Sequence, residues 1–390
     1  MPFRFRYRRC IYLLLGLLTA VSVIVYNKKL YAKEIWTNEN TTTNAIKKHT
    51  APSAVILLTQ RRSGSSIVGE LFNQYVNVSY FYEPLFPFDD TCERSLQNQT
   101  LKTIQHIAGC KLTHLPKLYG EAFNVTNRDD KYSRCKEYSV CFAGYTRSKY
   151  SAYLTRDAQI CHTTEAHQQC PAPIDLDRLS SHCRSSIMVA MKVIYLCRLE
   201  WITPLLLSKQ SIVKIVHLVR DPRAIINSRI PQRETNSAVN KARFGVIRFY
   251  AHQICDQLSS NVGYADTVVG SIVPRKSYLR IRHEDFALEP IQVSENIYKF
   301  LSLPFREGMR RWVLDATTSN TQTSELKTGD QGTKRNSKEI VSAWRGKLSF
   351  EEVDVIQEIC KDSLNKLGYK IFNTEKELQN VQELHFKPKV

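Results

Sequence analysis

The chain has 390 residues, 43% of them hydrophobic, which is enough apolar mass for a sizeable core and sets aside a disordered chain. Its 55 basic against 37 acidic side chains leave a formal charge of +18, so its partner is expected to be anionic: nucleic acid, membrane surface, nucleotide or acidic polysaccharide. Charge alone does not choose among these.

Arg4, Arg6, Arg8 and Arg9 precede an uncharged apolar run from Cys10 to Tyr26, which Lys28 and Lys29 close. This pattern reads as a short membrane-spanning anchor over 10–26 with a cytosolic tail at 1–9, a type II topology. A cleaved signal peptide is the rival reading, and either way the body is lumenal. Residues 27–51 are polar and aperiodic, a stem, and 52–390 form the folded domain. Sequons stand at Asn40, Asn77, Asn98 and Asn124. Apart from Cys10, ten cysteines remain, an even number suited to an oxidising compartment. No C-x-x-C pair or zinc-like spacing occurs, so disulfides are expected and a metal is not. Seven of the ten fall between Cys92 and Cys183, which points to an insertion over about 88–184 stapled within itself. Spacing does not fix the pairing.

From Ser53 the pattern becomes α/β. The run Ala54, Val55, Ile56, Leu57, Leu58 breaks into Arg61, Arg62, Ser63, Gly64, Ser65 and Ser66, then resumes at Ile67 and Val68. A buried strand, a tight turn and a helix start are predicted, with backbone N–H groups, Arg62 and the serine hydroxyls gathered around one anion. Val78 to Glu83 forms a second strand, Ile187 to Ile194 a third, and Leu199 to Lys209 a helix. A second elbow of the same kind follows, where the run Ile212 to Val219 meets Arg220, Asp221, Pro222 and Arg223. Asp221 is a fitting N-cap, Pro222 a fitting first helical residue, and Arg220 a fork for phosphate oxygens; Ser228 is placed to reach the same anion. A long helix around Arg243 to Ser259, a strand at Ser277 to Arg282, and helices at Pro290 to Leu301 and Phe350 to Leu367 complete the pattern. Strands alternating with helices predict a central parallel sheet flanked by helices, with both elbows at the carboxyl ends of their strands.

Two separated anion sites suit a ligand with two anionic groups, and here the residues resemble a known family. Arg62-Ser63-Gly64-Ser65-Ser66 followed by Gly69-Glu70-Leu71-Phe72-Asn73-Gln74, then Tyr82-Glu83-Pro84-Leu85, is similar to the Golgi galactose, N-acetylgalactosamine and N-acetylglucosamine 6-O-sulfotransferases. Val219 to Arg223, Arg282-His283-Glu284-Asp285, Gly332 to Ser337, Ala343-Trp344-Arg345, Cys360 and Leu367 to Lys370 follow in the family's order. The tail resembles the keratan sulfate galactose 6-sulfotransferase and chondroitin 6-sulfotransferase branch. Likeness is weak between Phe88 and His182, where acceptor specificity is expected to lie.

The resemblance implies a P-loop-like sulfotransferase fold in one lumenal domain of a Golgi membrane protein. It also implies 3'-phosphoadenosine 5'-phosphosulfate (PAPS) as co-substrate, a glycan or glycosaminoglycan acceptor, no nucleic acid and no metal. Arg61 to Ile67 would hold the 5' end of PAPS, with Arg62 as an electrostatic clamp and Arg61 either helping or facing solvent. Arg220, Asp221, Pro222, Arg223, Ala224, Ile225, Ile226, Asn227 and Ser228 would form the 3'-phosphate site, Arg220 and Ser228 being the specific pair. Thr333, Lys334 and Arg335 either close over the nucleotide or form a solvated basic loop. Glu83 is the expected base, against the alternative of a carboxylate that merely pairs with a neighbouring arginine. Lys192 is placed to meet the sulfuryl group, whereas His217 reads as a core residue and His283 as one that orders a turn. A P-loop kinase is disfavoured because G-x-x-x-x-G-K-[ST] is missing, and a glycan-binding protein without catalysis leaves the paired elbows unexplained.

Overall fold

The computed structural model describes residues 53–118 apart from 76, 86–87, 89–91 and 116, then 176–208, 213–230, 237–318 and 337–388. The expected tail, anchor and stem lie outside these residues, as do most of the insertion, Asn40, Asn124 and the Thr333, Lys334, Arg335 segment. The described residues belong to one compact unit, Ala51–Val390. None of their helices is long and apolar enough to cross a membrane.

The five apolar runs become β1 (Ser53–Leu58), β2 (Val78–Phe81), β3 (Met188–Val193), β4 (Val213–Val219) and β5 (Tyr278–Arg282). They hydrogen-bond in the order β2-β3-β1-β4-β5, every neighbouring pair parallel. Parallel neighbours need crossovers, and helices supply them. α1 (Ser65–Asn73) follows β1; α2 (Gln97–Ala108) and α3 (Leu176–Ser185) lie between β2 and β3; α4 (Thr203–Leu207) precedes β4. α5 (Pro222–Asn227) and α6 (Ser237–Val268) join β4 to β5. α7 (His283–Leu288), α8 (Pro290–Leu301), α9 (Glu307–Thr318), α10 (Ser337–Ser342), α11 (Phe350–Leu367) and α12 (Glu375–Gln379) follow.

Side chains alternate across the sheet. Ala54, Ile56 and Leu58 pack on one face with Val189, Met191 and Val193, while Val55 and Leu57 pack on the other with Ala190, Val68, Leu71 and Phe72. Both faces are covered, which is why the strands read as near-continuous apolar runs. Each valine, leucine, isoleucine, methionine or phenylalanine so buried contributes about 1.5–3 kcal/mol. A third apolar cluster joins α6 to α11, where Ile247, Ala251, Ile254 and Leu258 recur at helical spacing against Val353, Ile356, Leu364 and Leu367. Cys255–Cys360 crosses that contact as a disulfide.

Three boundaries differ from the sequence reading. Glu83 lies two residues beyond the end of β2 rather than closing it. The helix expected over 199–209 is a 3-10 turn, Leu199–Ile202, followed by the short α4 with proline in its first turn. The long helix extends well past 243–259 at both ends. The insertion is stapled within itself by Cys110–Cys183, but Cys92 pairs with Cys197 beyond β3, so one staple fastens it to the sheet. Asn77 and Asn98 are exposed.

Candidate anion-binding and transfer site

β1 and β4 are adjacent and parallel, with Leu58 opposite His217, so their carboxyl ends deliver both elbows to the same edge of the sheet. In the first elbow Arg62 has φ 72° and Gly64 φ 80°, both left-handed. For arginine that conformation costs about 1 kcal/mol or more and persists where the surroundings impose it. Gly64 is required on two counts, because a Cβ there would stand 2.1 Å from Cδ2 of His283. No side chain caps the N-terminus of α1, so its first-turn N–H groups face outward with the positive end of the helix dipole. Ser65 and Ser66 open that helix, and the half-buried Ile67 packs into the core, leaving its backbone as its polar contribution. Ser63 behaves differently from expectation. Its hydroxyl donates to the Gln60 carbonyl at 2.5 Å and is hydrogen-bonded to Thr59 Oγ1, so it shapes the turn from inside.

The second elbow is tied to the first. Arg220 donates from Nη1 to the carbonyl of Arg62 at 2.9 Å, and Arg229 from Nη2 to the carbonyl of Arg61 at 2.9 Å. Nε of Arg220 is buried and has no partner among the described residues, a donor left over for a ligand anion. Burial lowers the Arg220 pKa, and Glu284 and Asp221 work against that shift, so the guanidinium stays charged. Asp221 caps α5, accepting from the Arg223 N–H at 2.9 Å.

Several residues assigned to the nucleotide from sequence serve the protein interior instead. Arg223 is fully buried, forks onto both carboxylate oxygens of Asp221, and donates to Gln357 Oε1 and the Lys370 carbonyl. Its plane lies over Trp344 and Phe372. Pro222, Ala224, Ile225 and Ile226 are buried around it. The carboxylate cap neutralises the start of α5, so that helix end is not a vacant anion site. Ser228 stands at the C-cap of α5, next to the half-buried Asn227, and donates to the Ile225 carbonyl at 2.8 Å.

Lys192 and Glu83 meet directly, Nζ to Oε1 at 2.8 Å. Lys192 sits on β3 opposite Leu57, one residue before the strand leads into the turn, and only 1% of its side chain is exposed. Its ammonium lies 3.3 Å from the centre of the Tyr82 ring. Burial lowers its pKa, while Glu83 and then Glu70 raise it. The carboxylate pairs with a lysine rather than with the arginine of the alternative reading. His217 is buried with Nδ1 2.7 Å from the Tyr278 hydroxyl, and burial with Arg280 pushes its pKa down to about 3.

Other members of the site were not visible as such in the sequence. His283 is the first residue of α7, and its ring lies against Gly64. Burial and the Arg220 charge hold its pKa well below the usual range, so it packs there as neutral imidazole. Glu284 accepts from the Asp221 N–H at 3.0 Å and the Tyr369 hydroxyl at 2.8 Å, and Gln60 reaches back to the Ile254 carbonyl at 2.9 Å. Long-range pairs of this kind leave no local pattern. Among the described residues no group of three His, Cys, Asp or Glu is arranged to hold a metal.

An uncapped helix start and two arginines thus stand past the ends of neighbouring parallel strands, with a lysine and a carboxylate at the end of the next strand. The family described as "Sulfotransferase domain" matches residues 202–368. Along most of its length it is also similar to carbohydrate sulfotransferase 1 of Danio rerio, 27% identical over 349 residues that cover 84% of this chain and 80% of that protein. Carbohydrate sulfotransferase 3 of Mus musculus is 25% identical over 354 residues, 84% of this chain and 70% of that protein. Among solved structures it is similar to retinol dehydratase in complex with androsterone and inactive cofactor PAP, with 14% identity, a TM-score of 0.41 and 84% coverage of each chain.

Proposed function

We propose that this protein transfers a sulfuryl group from PAPS to the 6-hydroxyl of galactose or N-acetylgalactosamine in a glycan such as keratan or chondroitin. It would do so in the Golgi lumen, held by an N-terminal anchor. The observation that carries the reading is the Arg220 to Arg62 hydrogen bond, which makes one surface of two anion elbows. Residues there fit the nucleotide: the uncapped start of α1 and Arg62 suit the 5' end, and the unpaired Nε of Arg220 suits the 3'-phosphate.

Sulfuryl transfer needs position and charge stabilisation. Glu83 takes the proton of the attacking sugar hydroxyl, the oxygen attacks sulfur in line, and the 5'-phosphate leaves with the electron pair of the broken S–O bond. The N–H groups of Ser65, Ser66 and Ile67 with the Arg62 guanidinium hold the charge that grows on that phosphate, and Lys192 meets a sulfuryl oxygen. The resemblance of the tail segment to the keratan sulfate galactose 6-sulfotransferase and chondroitin 6-sulfotransferase branch favours galactose and N-acetylgalactosamine chains over the second reading, N-acetylglucosamine 6-O-sulfation. The test incubates the full chain with labelled PAPS and keratan, chondroitin and N-acetylglucosamine-terminated acceptors, then locates the sulfate. Label at C6 of galactose or N-acetylgalactosamine is expected, and label on N-acetylglucosamine alone would transfer the reading to the second acceptor. A chain that binds glycans but no PAPS would be a lectin.

A further inference from the structure

We propose that Tyr82 is a positioning residue, its ring face holding the Lys192 ammonium against Glu83 until a sulfuryl oxygen takes that ammonium over. The inference rests on the sulfuryl-transfer reading and adds a residue that it does not use.

Lys192 cannot be solvated where it stands. Its stem runs under α1, so close that a Cβ on Gly69 would be 3.6 Å from its Cδ. The charge is carried instead by Glu83 at 2.8 Å and by the π face of Tyr82, with Nζ 3.3 Å from the ring centre. These two partners are consecutive residues just past β2, which is an edge strand. They therefore approach or leave Lys192 together. The other titratable group acting on the ammonium is Glu70 from α1, and Tyr80 from β2 is buried with its hydroxyl against the same Gly69.

A carboxylate locked to an ammonium is a weak base, because taking up a proton forfeits the ion pair. Transfer breaks the sugar O–H bond, places that proton on Glu83, forms the new O–S bond and expels the 5'-phosphate with the S–O electron pair. Glu83 is a better base once Lys192 has turned toward the sulfuryl oxygen. A ring face suits such a handover, since it favours the cation without accepting a proton or competing as a second carboxylate. The hydroxyl of Tyr82 has no part in this, and the ring has all of it.

Three full-length variants test the proposal: Tyr82→Phe, Tyr82→Leu and Tyr82→Trp, each read by PAPS affinity, kcat and the pH profile of kcat. Tyr82→Phe should stay within about twofold of the parent. Tyr82→Leu should lower kcat by about tenfold with PAPS affinity unchanged. Its acidic limb should move to higher pH, because the ammonium beside the reacting proton is held less firmly. Tyr82→Trp, with the stronger ring face, should move the limb to lower pH, and it serves in place of Tyr82→Leu if that variant does not fold. An unmoved limb in both Leu and Trp variants, or a Phe variant as impaired as Leu, would overturn the role of the ring. A parent chain that transfers sulfate normally while this happens leaves the sulfotransferase reading standing; one that never binds PAPS overturns both.

Discussion

Arg220 donates a hydrogen bond to the main-chain carbonyl of Arg62 across 158 residues of sequence. One arginine therefore fixes the backbone of the opposite anion loop while keeping its Nε for a ligand, and the left-handed turn at Arg62 is held by the residue that shares its cargo. In the proposed function, binding at either end of the nucleotide would thereby be coupled to the geometry at the other.

Replacing Arg220 or Arg62 with alanine should accordingly weaken PAPS binding as well as transfer. A hydrogen bond to a charged group is worth about 1.5–3 kcal/mol, so each variant should lose roughly 10- to 100-fold in affinity. Arg220→Ala should show the larger loss, since it also releases the Arg62 carbonyl. Equilibrium binding of labelled PAPS checks this, and parent-like affinity in both variants would discredit the two elbows as its site.

Glu83→Gln separates binding from chemistry. The amide keeps the size of the carboxylate but cannot accept the proton, so kcat should fall by about 10²- to 10⁴-fold with PAPS affinity nearly unchanged. The ion pair with Lys192 is lost at the same time. Single-turnover assays at saturating acceptor provide the measurement, and a fully active variant would remove Glu83 from the mechanism.

The strand-turn-helix pattern at Ser53 to Asn73 was legible because it is local: a continuous apolar run, a glycine that must be left-handed, and a helical stripe. That both elbows lie at the carboxyl ends of their strands followed from the parallel α/β pattern, whereas the strand order that makes β1 and β4 neighbours did not. What the residues around Asp221 do was not legible. A basic turn with proline and an N-cap looks the same whether its second arginine faces a ligand or the interior. Only the distant Gln357, Lys370, Trp344 and Phe372 decide that Arg223 faces inward. The Lys192 to Glu83 pair was hidden for the same reason, as two residues 109 apart on neighbouring strand ends share no spacing rule.

Arg223 and Arg220 should therefore fail in opposite ways. Arg223→Ala leaves the Asp221 carboxylate buried without its main counter-charge and opens a hole under Trp344, at a cost of about 3–5 kcal/mol. Denaturant unfolding should show that loss even without ligand. Arg220→Ala, half-buried at the surface of the elbow, should unfold near the parent and show its defect in binding. If Arg223→Ala kept its stability and lost only PAPS, its place in the interior would be refuted.

The buried His217 predicts how stability depends on pH. Its pKa is about 3 in the folded chain against an ordinary 6.5, so the unfolded chain takes up the proton first. The contribution of neutral His217 is fully present above pH 6.5 and is lost as pH falls through the window down to about 3. Within that window the group removes up to about 1.4 kcal/mol per pH unit. His217→Gln keeps a polar partner for the Tyr278 hydroxyl but does not titrate, so its unfolding free energy should fall less steeply between pH 6 and 4 than that of the parent. Urea unfolding of both chains across that range gives the two slopes. Identical slopes would mean that His217 is protonated in the fold, and that the Tyr278 hydroxyl and the surrounding sheet stabilise imidazolium rather than exclude it.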